Sequence, residues 1–304
     1  MTKIELGFAM PGSLRDKSRQ SEWLPALHRA LDLASGHCAS AWIIDHLQFD
    51  DRLLLEGWVG LSYLMGQYPQ LQFGHAVLCQ SFRNPGLTAK MAASAQVLSG
   101  GRFILGIGAG WKEDEYAAYG YDFPPAGQRV DELAEYLQVV KALWTEERAS
   151  FSGKYYSVEQ AWCEPKPEPL PPIMIGGSKP RMLRLVAQYA DWWNVSWTGI
   201  ADFRAQSEQL ERACAELGRD PASLRRTWFG GCIVGKDEAE VERLNACLGI
   251  TSETAFIGTP PQVVEQMRPF VELGVDCFML GCGGFPELTT LELLIGEVLP
   301  ALNR

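Results

Sequence analysis

Asp45 and His46 are the two residues best placed to do chemistry. They close an apolar run, Ser40 to His46, that reads as a buried strand. A histidine at a strand end, beside a carboxylate, can take or give a proton or hydrogen-bond a ring carbonyl. The competing reading is a histidine that satisfies a nearby loop carbonyl; its position favours chemistry. The chain has only four histidines, and the other three read as structural: His28 in a helix, His37 in a turn, His75 inside a strand. A second constellation is Gly176-Gly177-Ser178, after a strand and before a helix that carries Lys179, Pro180 and Arg181 in its first turn. Backbone N–H groups at a helix start, a glycine that admits an oxyanion and a serine hydroxyl suit a phosphate. A βα turn needing glycine for its backbone angles is the plainer alternative. Gly106-Ile107-Gly108-Ala109-Gly110 would let a flat ring approach the backbone, although tight packing explains Gly106 equally well. Trp111 follows as a pocket wall or a packed helix start. Cys79-Gln80-Ser81 ends another strand, where Cys79 reads as a packed thiol because nothing nearby would activate it. Trp192, Trp193 and Trp197 would line an apolar cavity or pack in a core.

The elements that must position these residues alternate between strand and helix. Strands are expected at Ile4–Met10, Ser40–His46, Leu71–Cys79, Phe103–Gly108, Ile173–Gly177, Trp192–Trp197, Thr227–Val234 and Cys277–Gly281. Helical periodicity follows each, at 22–35, 56–65, 85–98, 128–144, 179–189, 201–217, from 237 and 260 to 273, and 288–299. Alternation of this kind implies a parallel sheet. Strands covered on both faces are nearly continuous apolar runs, as these are. Eight such units in 304 residues predict an α/β fold of the (β/α)8 TIM-barrel type in a single domain spanning 1–304, with an insertion around 149–171 that holds a hairpin. An open doubly wound sheet is the alternative, weakened because no G-x-G-x-x-G opens a helix after the first strand. In a barrel the site lies at the C-terminal strand ends. That rule picks out Asp45-His46, Cys79-Gln80-Ser81, Gly108-Ala109-Gly110-Trp111, Gly176-Gly177-Ser178, Asn194 to Trp197 and Gly281 to Gly284.

Composition limits the partners. The net charge is −10, which argues against nucleic acid and against an anionic membrane surface. Hydrophobic residues make up 47 % and charged residues 21 %, a balance expected of a globular protein with a full core. The eight cysteines (Cys38, Cys79, Cys163, Cys214, Cys232, Cys247, Cys277 and Cys282) show neither C-x-x-C spacing nor a metal-ligand pattern with histidine, so reduced thiols and no metal site are expected. With no signal peptide in MTKIELGFAM and no apolar run of membrane-span length, a cytoplasmic protein is expected.

The same segments resemble the bacterial luciferase-like family. The resemblance is carried by SGGRFILGIGAGWKEDEYAAYG (99–120) and by PPIMIGGSKPRMLRLVAQYADWWN (171–194). GTPPQVVEQMRPFVELGVDCFML (258–280), FRNPGLTAKMAAS (82–94) and Asp45-His46 extend it over nearly the whole chain. It implies a barrel that binds reduced FMN or coenzyme F420. By that resemblance Asp45 and His46 would touch ring or substrate. Cys79 and Gln80 would form a bulge behind the ring, often with a non-proline cis peptide, and Ala109 and Gly110 would lie along the cofactor. Gly176, Gly177 and Ser178 would hold its phosphate. The family's sugar-phosphate dehydrogenases carry a glutamate after the glycine-rich strand; Trp111 stands there in this chain, which speaks against that activity and leaves His46 as the proton-handling residue. The reading favoured on this basis is a two-component monooxygenase that takes FMNH2 from a separate flavin reductase and oxygenates a small organic substrate. Hydride transfer with F420 and a non-catalytic flavin-binding protein are the alternatives. The resemblance also implies a homo-oligomer.

Overall fold

In the computed structural model, which describes residues 3–246 and 251–304, eight parallel strands close into a barrel. They are β1 (Glu5–Ala9), β2 (Ser40–Ile43), β3 (Gln72–His75, resumed at Leu78–Cys79), β4 (Phe103–Gly108), β5 (Ile173–Gly176), β6 (Trp192–Ser196), β7 (Arg225–Val234) and β8 (Val275–Cys282). Neighbours in sequence are neighbours in the sheet. The ring shuts where β8 pairs with β1, Cys277 opposite Glu5. The insertion does not break it, because β5 still pairs with β4, Ile173 opposite Leu105.

The barrel interior is solid. Trp42, Ile104, Met174, Trp192, Cys277 and Met279 fill it. The Trp42 indole fits because the strands on either side carry glycine: a Cβ on Gly7 would come within 2.6 Å of its Nε1, and one on Gly74 within 2.5 Å of its Cζ3. The indole N–H donates to Ser40 Oγ at 2.8 Å, so no polar group is stranded. The lower end is shut by Arg225, which pairs with Glu5 and Asp276 and lies 4.4 Å over the Trp192 ring. Trp192 therefore belongs to the floor of the barrel and not to its mouth.

Between strands and helices lies the larger apolar layer. Helix Pro85–Ser99 starts on the Asn84 cap and a first-turn proline, and stops at the left-handed Gly100. Its alanines let helix Ala126–Thr145 pack close, with Trp144 Nε1 donating to Ala89 O at 3.0 Å and Tyr136 to Thr88.

Three local features depart from the sequence reading. The third strand is not continuous from Leu71 to Cys79; it halts after His75, and the Ala76–Val77 peptide is cis. The run Leu71–Cys79 carries no sequence mark of such a break. Residues 113–119, to which the sequence reading assigns no element, form the helix Glu113–Tyr119, with its acidic residues at the positive end of the helix dipole and Gly120 as left-handed cap. A short extra strand, Phe256–Gly258, pairs with β7. The hairpin is present, as Ala149–Ser152 against Ser157–Ala161. Cys247 lies outside the described residues; among those described, the cysteines are free thiols.

Candidate functional site

The mouth of the barrel is built from the exits of β2, β3, β4 and β5. The β2 exit carries Asp45 and His46. Asp45 is 4 % exposed and both its oxygens are taken. Oδ2 accepts from Cys79 N at 2.8 Å and from Arg83 Nη1 at 2.8 Å, and Oδ1 accepts from Arg83 Nη2 at 2.9 Å. Glu56 closes on the same guanidinium. Burial alone would lower the Arg83 pKa, but the two carboxylates outweigh it and hold the charge firmly. Asp45 is thus an anchor that ties the β2 exit to the β3 bulge; of the pair, His46 is the one at the mouth.

His46 is held in turn. Its Nδ1 lies 2.9 Å from Glu115 Oε1, and Leu47 N donates to Glu115 Oε2 at 3.0 Å. Glu115 is 2 % exposed. A buried carboxylate at Nδ1 favours a proton on that nitrogen and leaves Nε2 as the acceptor. Phe49 and Trp111 meet the imidazole edge-on, at 5.1 and 5.8 Å between ring centres, and Tyr119 Oη donates to Leu47 O at 2.9 Å. The helix Glu113–Tyr119 exists here as a clamp on residues 46 and 47.

Beside His46 lies a shelf of small groups. Ala76 and Val77 are joined by the cis peptide, which falls three residues ahead of the Cys79–Gln80 position expected from the family resemblance. The glycines of the next two strands make room for it. A Cβ on Gly106 would collide with His75 O, one on Gly108 would sit 2.8 Å from Val77 Cγ2, and one on Gly176 2.9 Å from Val77 Cγ1. Gly110 has φ +76, and a Cβ there would strike the Tyr116 hydroxyl. Cys79 packs under this corner with its Sγ 2.9 Å from Tyr116 Oη. Burial pushes the thiol up to about 11, which argues against a resting thiolate and fits a packed cysteine. Gln80 is buried and wired outward: its Oε1 accepts from Tyr156 Oη of the hairpin at 2.9 Å, and its Nε2 donates to Ser81 Oγ at 2.9 Å and Glu132 at 3.3 Å.

The β5 exit gives Gly177 and Ser178. Gly177 is fixed by β6: its N–H donates to Asn194 O at 3.1 Å and its carbonyl accepts from Trp193 Nε1 at 2.9 Å. Helix Pro180–Tyr189 then begins on Lys179 with no side-chain cap, so its first turn suits an anion. Arg181 does not add to it as the sequence suggested. Its guanidinium turns to Gly127 O and Asp131 of the helix Ala126–Thr145. The tryptophans also divide differently. Trp193 is buried against Phe203 behind the sheet, whereas Trp111 and Trp197 are exposed at the rim. Asn194, below them, donates to Thr227 Oγ1 at 2.9 Å. Among the described residues no group of three or more His, Cys, Asp or Glu side chains is arranged to hold a metal, and no helix is long and apolar enough to cross a membrane.

Residues 26–247 match the family model described as luciferase-like monooxygenase. The chain belongs to the luciferase-like monooxygenase family of oxidoreductase enzymes. Among its luciferase-like relatives is an F420-dependent glucose-6-phosphate dehydrogenase of Kineococcus radiotolerans, 32 % identical over 275 residues, 88 % of this chain and 77 % of that protein. Another is an F420-dependent hydroxymycolic acid dehydrogenase of Mycobacterium tuberculosis, 32 % identical over 205 residues, 65 % of this chain and 56 % of that one. A phthiodiolone/phenolphthiodiolone dimycocerosates ketoreductase of Mycobacterium kansasii is 33 % identical over 211 residues, 67 % of this chain and again 56 % of that protein. The matched region thus spans little more than half the length of the last two. The fold is shared with an F420-dependent secondary alcohol dehydrogenase (TM-score 0.83, 19 % identity, 99 % of this chain and 100 % of that one). It is shared equally with the EDTA monooxygenase of Chelativorans sp. BNC1 (TM-score 0.82, 18 % identity, 99 % and 93 %).

A luciferase-like mouth of this form suits a flat cofactor on chemical grounds. Ala76, Val77, Ala109, Gly110, Gly176 and Gly177 are all partly exposed, and they offer a floor with no long side chain. Glu115, Arg83, Tyr116 and Tyr156 are site residues that sequence reasoning did not find. Only Glu115 left a signal, as the third acid in the run Glu113-Asp114-Glu115.

Proposed function

We propose that this chain is an F420-dependent oxidoreductase that interconverts a secondary alcohol and a ketone, with His46 handling the proton. The observation that carries the reading is the His46–Glu115 pair at the edge of the small-residue shelf, 2.9 Å apart, with the carboxylate buried and the imidazole only partly exposed. The relatives named above, at 32–33 % identity, are a ketoreductase and two F420-dependent dehydrogenases, and they support the same reading. F420, when bound, supplies the two-electron carrier for the carbon centre. The shelf at 76–77, 109–110 and 176–177 would support its ring. Ser178 and the start of helix Pro180–Tyr189 would hold its phosphate, with Lys179 the remaining cation there. In the oxidation direction His46 Nε2 takes the hydroxyl proton as the carbon gives up its hydride. In the reduction it returns that proton to the carbonyl oxygen. Glu115 would balance the imidazolium in between, since a cation there without a counter-charge is costly.

The second reading is the FMN-dependent monooxygenase with a separate reductase. The exposed Trp111, standing where the family's sugar-phosphate dehydrogenases place a glutamate, favours it, and the family model carries that description. An anaerobic titration with F420, reduced FMN and oxidised FMN separates the two, followed by fluorescence and absorbance. Tight F420 binding, with alcohol-dependent bleaching and no reaction on admitting air, is the expected result. Preference for reduced FMN with rapid oxygen consumption would move the assignment to the oxygenase. Binding of all three without turnover would make the chain a flavin carrier. A single barrel domain over 1–304, acting as a homo-oligomer, is part of the same proposal.

A further inference from the structure

The mouth holds a second hollow, on the side of β1 and β8. It encloses about 130 Å3 between the β1 exit, Phe229 of β7 and the segment that follows β8. Its walls include Phe8, Met10, Phe229, Phe285, Leu288 and Leu291. The two side chains in it that titrate do not make it a charged site. Cys282 is held well above the ordinary thiol range by burial and stays neutral. Glu287 is paired with Arg243 through both oxygens, at 2.9 and 2.6 Å, and accepts from the Thr289 hydroxyl at 2.9 Å. Those bonds hold it at about 2. Among the described residues no lysine or arginine lines the hollow.

The hollow adjoins the proposed reaction site. Phe229 rests on the same interior cluster as the shelf residues Ala76 and Val77. Met10 N donates to Trp42 O at 2.8 Å, which lays the β1 exit beside the β2 exit that ends in His46. Gly12 continues along Ile43 and Ile44, where its Cβ would lie at 3.4 and 3.5 Å.

We propose that this hollow is the subsite for the apolar part of the substrate, and that the substrate is a neutral secondary alcohol or ketone bearing an alkyl or aryl group. An apolar cavity of roughly 150 Å3 stays dry and takes up benzene, so the group that fits here has about six carbons. The inference rests on the alcohol–ketone reading above and adds the substrate class to it. It also sets this chain apart from the relatives. A sugar phosphate would bring its dianion into an apolar pocket where no lysine or arginine among the described residues could meet it and where the Glu287 carboxylate is already paired with Arg243, and a mycolic chain would overrun the volume.

Two measurements test it. The F420-loaded enzyme is assayed with the alcohols from propan-2-ol to nonan-2-ol. kcat/KM should climb about fourfold per methylene until the hollow is full, and then level off. Leu288→Trp, which fills the hollow, should cut the ratio of hexan-2-ol to propan-2-ol activity tenfold or more, and Leu288→Ala should move the optimum to longer chains. A flat chain-length profile, or variants that both keep the wild-type ratio, would overturn the subsite while leaving the alcohol–ketone activity in place. Separately, ligand-detected NMR with benzene on the protein alone should show binding that Leu288→Trp abolishes and Leu288→Ala retains. If benzene binds in this pattern but no alcohol is oxidised with F420, the redox reading fails and the apolar subsite stands.

Discussion

At the residue scale the candidate chemistry narrows to one imidazole and the carboxylate behind it. His46→Ala should leave the fold intact by circular dichroism and thermal melting. It should lower kcat by about 10²–10⁴-fold, the usual worth of a general acid–base; retained turnover would remove His46 from the mechanism. Glu115→Gln separates holding from reacting. The amide can still bond Leu47 N, but it cannot balance an imidazolium or fix Nδ1–H. We expect kcat to fall about 10²-fold through misorientation with KM little changed, and the ¹⁵N shifts of His46 to report loss of the fixed tautomer. A merely structural glutamate would lower the melting temperature and leave those shifts alone. His46 was legible in the sequence because a strand end is a short-range property. Glu115 was not, because its partner is 69 residues away and it sits in an acidic run of the kind that usually marks a solvated face. Asp45 shows the opposite limit. Its neighbour invited a shared catalytic role, and only the approach of Arg83 and Cys79 N reveals a staple.

At the element scale the eight staves were legible because each is an apolar run bounded by turn residues, and because glycines stand where strands approach closely. The helix Glu113–Tyr119 was missed because seven residues, three of them acidic in the first turn, are too short for periodicity to register. Two elements carry predictions. The start of helix Pro180–Tyr189 is uncapped, so Ser178→Asp should repel the phosphate and raise the cofactor dissociation constant at least tenfold by fluorescence titration. Unchanged affinity would move the phosphate elsewhere. The hairpin Ala149–Ser152/Ser157–Ala161 is moored by Glu135, whose carboxylate accepts from Lys154 N at 2.8 Å, Tyr155 N at 2.7 Å and Tyr156 N at 3.1 Å. Those bonds aim Tyr156 at Gln80, beneath the shelf. Glu135→Ala should free the hairpin, seen as faster proteolysis within 150–160, and weaken cofactor binding through Gln80. Faster cleavage with unchanged binding would show that the hairpin does not reach the site.

At the scale of the whole molecule, the anchoring of the mouth couples stability to acidity. His75 ends the first part of β3, wholly buried between Trp58 and Phe103, whose ring centres lie at 4.8 and 6.3 Å. Burial drives its pKa down to about 4 from 6.5, with Arg83 assisting and Asp45 and Glu56 opposing. Above pH 6.5 the imidazole is neutral in both folded and unfolded chains, and its burial costs no proton. As pH falls from 6.5 towards 4, the unfolded chain takes up a proton that the folded chain refuses, so folding weakens; below 4 both are protonated and the loss levels off. A difference of this size is worth about 3 kcal/mol, a large part of a typical domain's margin. Denaturant unfolding at pH 7, 5.5 and 4.5 should therefore show stability falling steeply through that window in the wild type, and less steeply in His75→Leu. The comparison rests on slope, so a general change in stability from the substitution does not confuse it. Because the same turn leads directly into the Ala76–Val77 shelf, acid should weaken cofactor binding before global unfolding, whereas parallel pH slopes in the two proteins would show that His75 does not set the acid limit.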